Sequence, residues 1–109
     1  MAQKYHIGFD LGSSSVKVAL TDADTGESIL SLHEPKNEIS ISSEQSDWAE
    51  QNPNDWWTYV GQATKRILKE SKIDVTKILA VGISYQMHGL VVVDSNGEPL
   101  RNAIIWCDS

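Results

Sequence analysis

The sequence predicts an α/β domain built on a mixed sheet. Three short segments with period-two alternation come first and read as an antiparallel meander. One strongly patterned helix follows. Behind it lies a nearly continuous apolar run of strand length, the pattern of a strand buried on both faces. The order βββ–α–β, with more strand material at the end, describes one layered domain, and 109 residues suffice for about one.

In the first strand Tyr5, Ile7 and Phe9 alternate with His6 and Gly8. A tight turn of small residues, Gly12 to Ser15, leads to a second strand in which Val16, Val18 and Leu20 alternate with Lys17, Ala19 and Thr21. Asp22 to Glu27 is rich in residues that hydrogen-bond locally or accept positive φ, so it reads as a turn. The third strand spans Ser28 to His33, with Ile29 and Leu32 expected inside. From Glu34 to Gln51 the composition turns polar, which predicts a surface loop with Ile39 and Ile41 as a short edge strand.

The helix begins at Asn52-Pro53, where asparagine caps and proline suits the first helical position. Asp55 favours the positive end of the dipole, and Lys65, Arg66 and Lys69 lie towards the negative end. Trp56, Val60, Ala63 and Ile67 share one face, with Trp57, Thr64 and Leu68 beside it, so the tryptophans are expected as core anchors. Asp74 to Lys77 connect to the apolar run Ile78–Ser84. Leu90 to Val93, the turn Asp94 to Gly97, and Ile104 to Trp106 supply the remaining strand material. The closing run Ala103 to Ser109 has no element behind it, and the expectation is a portion of something longer.

Composition narrows the function classes. Nine basic against fifteen acidic residues leave a net charge of −6, the wrong sign for a nucleic-acid groove. Met1 to Lys4 runs into a strand without the apolar stretch of a leader, and no run approaches the ~20 residues of a membrane span. The single cysteine, Cys107, excludes an internal disulfide and a structural zinc site; as a lone residue it reads as a small buried side chain. A cytoplasmic protein without membrane or nucleic-acid partners is expected.

Two segments carry chemistry. In Ile7-Gly8-Phe9-Asp10-Leu11-Gly12-Ser13-Ser14-Ser15-Val16-Lys17 a strand ends in a carboxylate beside a turn of tiny side chains. Backbone N–H groups in such a turn accept an anion, while the carboxylate holds a divalent cation. A Walker loop is excluded because no Gly-Lys-Ser/Thr opens a helix. A dinucleotide fingerprint is excluded because Gly8 and Gly12 are two glycines ahead of a strand. A plain serine-rich hairpin with Asp10 as turn former is the alternative.

The second segment, Tyr85-Gln86-Met87-His88-Gly89, follows the buried strand, where ligands of α/β sheets collect. Gln86 and His88 both donate and accept, as a polyol's hydroxyls require, and Met87 offers an apolar surface to a sugar's C–H face. The alternative is a strand end whose His88 caps a turn and whose Met87 fills the core.

Taken together these segments resemble the N-terminal part of the FGGY family of carbohydrate kinases. Asp10 to Lys17 resembles its first phosphate loop, Trp48-Ala49-Glu50-Gln51-Asn52-Pro53-Asn54-Asp55-Trp56-Trp57 its tryptophan- and proline-bearing helix start, and Ile83 to Gly89 with Ile105-Trp106-Cys107-Asp108 its sugar-contacting segment. The Gln-Met-His-Gly run is most similar to the branch that phosphorylates the ketose D-xylulose.

The resemblance implies a ribonuclease-H-like (actin-like ATPase) fold, with residues 1–109 an incomplete N-terminal lobe. It implies ATP and Mg²⁺ as cofactors and a small sugar as substrate, with Asp10 at the metal and Gly12, Ser13, Ser14 and Lys17 facing the phosphates. Met87 and His88 would contact the ketose, with Gln86 and Asp108 as further candidates. It also allows a homodimer of the longer protein. The base and the adenosine pocket would lie beyond residue 109, so the chain alone is expected to be inactive.

Two positions depart from the family pattern. Ser13-Ser14 stands where threonines are commoner, and Cys107 where asparagine is usual. Kinases of gluconate, ribulose or glycerol are alternatives within the family. The competing classes are a metal-dependent nuclease on the same fold, which the negative charge disfavours, and a non-catalytic ligand-binding module.

Overall fold

Period-two alternation near the start produces a four-stranded mixed sheet in a computed structural model that describes residues 3–44, 48–86 and 89–105. Strands β1 (Tyr5–Leu11), β2 (Val16–Asp22) and β3 (Ser28–Glu34) form the expected antiparallel meander. Strands β4 (Glu50–Gln51) and β6 (Ala103–Ile104) pair antiparallel in a second, two-stranded sheet. Helix α1 (Pro53–Ser71) returns the chain to β5 (Ile78–Tyr85), which lies parallel to β1, so the main sheet runs β3-β2-β1-β5.

Asn52 caps α1 as its spacing predicts: its side chain accepts the Asn54 N–H at 3.0 Å, and Pro53 opens the first turn. The helix ends at Lys72, whose left-handed backbone (φ 55°) lets its N–H reach the Leu68 carbonyl. Arg66 ties α1 to the end of β3 through the Glu34 carboxylate at 3.0 Å and the His33 carbonyl at 3.3 Å. The core forms where α1 covers the sheet, Ala63 and Ile67 meeting Ile7, Val16, Val18 and Leu20. Ala63 is small enough to bring the helix close over the strands.

Three expectations about burial fail for reasons of placement. Within these 109 residues helix α1 lies over β2 and β3 and β5 forms the sheet edge, so Val81 and Ile83 are 58% and 63% exposed here where burial on both faces was expected. In β3 the inward phase belongs to Leu30 and Leu32, while Ile29 is exposed. The tryptophans divide: Trp56 is half-buried, whereas Trp57 is 78% exposed on the helix's outer side and Trp48 is also exposed.

The polar stretch before α1 is no simple surface loop either. Ile39 is buried without belonging to a strand, its N–H donating to the Ser14 carbonyl at 2.7 Å. Glu50 and Gln51 are buried in β4, and Arg101 pairs with the Glu50 carboxylate. Beyond β5 the chain makes an open hairpin around Gly97 (φ 81°), with Asp94 Oδ1 accepting the Asn96 and Glu98 N–H groups. Leu90 to Val93 and Leu100 on this hairpin are exposed.

Candidate functional site

The meander brings the chemical residues to the end of β1. Asp10 pairs with Lys17 across the β1–β2 ladder, Lys17 with His33 on β3, and Asp10 with Ser84 on β5. Because β-strand side chains alternate, this row occupies the face opposite α1. Asp10, Lys17 and His33 line an open cleft of about 430 Å³. The Asp10 carboxylate is exposed, with the Ser84 hydroxyl 3.4 Å from Oδ1 as a weak donor. One exposed carboxylate with spare lone pairs fits Mg²⁺, which is ordinarily held by one or two carboxylates together with phosphate oxygens and water. Among the described residues no three His, Cys, Asp or Glu side chains gather as an all-protein metal cage.

The turn from Gly12 to Ser15 is organised by its carbonyls. Ser15 O accepts the Gly12 N–H at 3.0 Å, and Ser14 O accepts the Ile39 N–H. Ser13 O accepts Gln51 Nε2 at 2.6 Å, and Gly12 O accepts Gln86 Nε2 at 3.4 Å. Four consecutive carbonyls are therefore engaged by the protein. The N–H groups of Ser13, Ser14 and Ser15 have no partner among the described residues. A loop whose acceptors are tied back and whose donors remain free is biased towards an anion.

Gly12 does not owe its identity to the turn. Its φ is not positive, and an added Cβ would sit 3.5 Å from the Ser15 carbonyl, an ordinary contact.

Gln86 directly follows β5 as expected, but its amide is turned back towards the loop. Nε2 donates to Gln51 Oε1 at 3.1 Å as well as to Gly12 O, and Oε1 is buried without a partner among the described residues. Gln86 and Gly89 line a pocket of about 260 Å³ with Leu11, Trp56, Tyr85 and Ile105. Met87, His88, Cys107 and Asp108 lie outside the described residues.

The residue that sequence reasoning missed is Gln51. It is fully buried, donates to Ser13 O, and accepts from both Gln86 and the Trp56 indole, the latter at 2.8 Å. Nothing in its polar neighbourhood signals burial; a tryptophan five positions on, within the first turns of a capped helix, was the available hint.

Comparison with known proteins places the family and the fold. Residues 5–109 match the FGGY family of carbohydrate kinases, N-terminal domain. The chain is 34% identical to a xylulose kinase of Staphylococcus epidermidis over all 109 residues, which cover 21% of that protein. It is 36% identical to the xylulose kinase of Bacillus subtilis, covering 97% of this chain and 20% of the relative.

Among solved structures, a gluconate kinase from Lactobacillus acidophilus superposes with a TM-score of 0.85 at 31% identity, over 98% of this chain and 20% of that one. The ligand-bound xylulose kinase from the same organism gives 0.83 at 31%, over 96% and 20%. The fold is thus the actin-like arrangement of these sugar kinases, and the chain spans about a fifth of the length of the curated relatives it matches. By the match of its family-wide domain and by these likenesses, the chain belongs to the FGGY family of carbohydrate kinases.

Proposed function

We propose that these residues supply the phosphate loop and part of the sugar pocket of an ATP-dependent ketose kinase that converts D-xylulose to D-xylulose 5-phosphate. The observation that carries this reading is the Gly12–Ser15 turn, with its engaged carbonyls and unpartnered N–H groups beside the exposed Asp10 carboxylate. Gly12 fits the same reading, since a missing side chain that the turn itself does not need leaves room for a phosphate to approach.

In the transfer, a sugar hydroxyl oxygen bonds to the γ-phosphorus of ATP, the bond to the ADP oxygen breaks, and the hydroxyl proton passes to a base. Asp10 would hold Mg²⁺, which would supply charge neutralisation at the phosphates when bound. Ser13, Ser14 and Lys17 orient the phosphates from the loop and from β2. Gln86 contacts the sugar, and the family resemblance assigns the same role to Met87, His88 and Asp108. The base and the adenosine site belong to chain beyond residue 109, where the resemblance puts them, so residues 1–109 form a partial N-terminal lobe.

Similarity to named xylulose kinases favours the ketose. A sugar acid is the second reading, because a gluconate kinase superposes equally well. Coupled ADP-release assays with D-xylulose, gluconate and glycerol separate the substrates. The longer protein should turn over D-xylulose fastest, and residues 1–109 alone should turn over none; faster turnover of gluconate replaces the ketose with the acid.

A further inference from the structure

We infer that Gln51 is a positioning residue that couples the phosphate loop to the sugar-side strand end, an inference that rests on the kinase reading above. Its carboxamide makes three hydrogen bonds to three separate elements: Ser13 O in the β1–β2 turn, Gln86 Nε2 at the end of β5, and Trp56 Nε1 in α1. Gln51 is fully buried, so none of these bonds is exchanged for water without opening the site.

The orientation of both amides follows from donor and acceptor rules alone. An indole N–H only donates, so the atom of Gln51 facing Trp56 is Oε1. Nε2 must then face Ser13, whose carbonyl only accepts. Gln86, meeting the same Oε1 and the Gly12 carbonyl, must present Nε2 to both. Its own Oε1 is the atom left over, buried and unpartnered among the described residues on a side chain that lines the 260 Å³ pocket. Gln51, with the longer contact to Gly12 O, therefore sets which end of the Gln86 amide remains for a ligand: an acceptor, suited to a substrate hydroxyl. Loop and strand end are held through the Gln51 amide and, over a longer 3.4 Å contact, by Gln86 Nε2 on Gly12 O, so a shift at either reaches the other.

The test uses the longer protein that carries this chain. Gln51→Met keeps the length and removes all three bonds. It should raise KM for both Mg-ATP and D-xylulose, each roughly tenfold, the scale of unpairing buried partners. Gln86→Met should raise KM for the sugar with little change for Mg-ATP. The double variant should be within about twofold of Gln51→Met for the sugar, because the single variant already removes the shorter of the two bonds that orient Gln86 and leaves only the 3.4 Å contact with Gly12 O. Effects that multiply, or a Gln51→Met change confined to kcat, would overturn the inference.

Should Gln51→Met not fold, Trp56→Phe removes only the donor that sets the amide, and the same two KM values should rise together by about threefold or more. Hydrogen exchange of the unliganded protein supplies a reading independent of turnover. In the variant, peptides covering residues 12–16 and 84–86 should exchange faster together while β3 is unchanged. Separate behaviour of the two peptides refutes the coupling even if no sugar is phosphorylated. Absence of sugar turnover by the unmutated protein refutes only the kinase reading.

Discussion

Replacing Asp10 with asparagine separates chemistry from folding unusually well. The carboxylate is exposed, and its one described partner is the Ser84 hydroxyl at the long distance of 3.4 Å. Asparagine has the same shape and retains an oxygen for that contact. The stability change should therefore stay within about 0.5 kcal/mol, the range for exposed positions away from special features.

Turnover should respond quite differently. If Asp10 helps place the metal that stabilises the transferring phosphoryl group, kcat should fall by roughly 10²–10⁴-fold. At about 1.36 kcal/mol per decade this is a barrier increase of about 3–5 kcal/mol, an order of magnitude above the expected folding effect. The assay is coupled ADP release by the longer protein at several Mg²⁺ concentrations, with a thermal melt of the same samples. Glu98→Gln, which also removes an exposed negative charge, serves as the control for net charge. Near-normal turnover in Asp10→Asn, or a loss matched by Glu98→Gln, would refute metal placement by Asp10.

Ile67 is fully buried in the core cluster between α1 and the sheet, so Ile67→Ala should lower unfolding free energy by about 2–5 kcal/mol in urea titrations. Asp22 and Asp74 are both held below their ordinary 3.8. Gln3 is the main cause for the first, with the Thr25 and Asp24 N–H groups, and the Thr76 hydroxyl and N–H for the second. A depressed carboxyl stabilises the fold above its ordinary pKa and loses that contribution as pH falls through the folded value. Thermal melts should therefore weaken on acidification below about pH 4, less steeply in Asp22→Ala. Residues 1–109 alone should self-associate through the edge strand β5, and Ile83→Lys should suppress it in sedimentation; a monomeric parent chain at tens of micromolar, as an order of magnitude, would refute this.

Local chemistry was legible where neighbours in sequence are neighbours in space. The meander follows from period-two alternation, and α1 starts where Asn52-Pro53 says it should. Burial was less legible because it depends on what lies above a strand. The run Ile78 to Tyr85 has the composition of a strand covered on both sides, yet α1 sits over β2 and β3 and leaves it at the edge. Ile29 against Leu30 is the same problem at smaller scale: a one-residue phase choice exchanges the two faces, and nothing local to β3 decides it.

The candidate site shows a sharper limit. Asp10, Gly12 and the serines could be singled out because the turn that gathers them is continuous. What prepares that turn for an anion arrives from far away: Gln51 is 38 residues from Ser13, and Gln86 is 74 from Gly12. A sequence motif can say which side chains are present but not which end of an amide faces a ligand. Here that choice descends from Trp56, a donor with no acceptor to offer, through Gln51 to Gln86. The glutamine expected as a versatile sugar contact has both of its described donor contacts committed to the protein, which leaves only its Oε1 to accept a hydrogen bond. The orientation of the Gln86 amide is thus set in part by Gln51, a polar side chain whose surroundings gave no sign that it was buried.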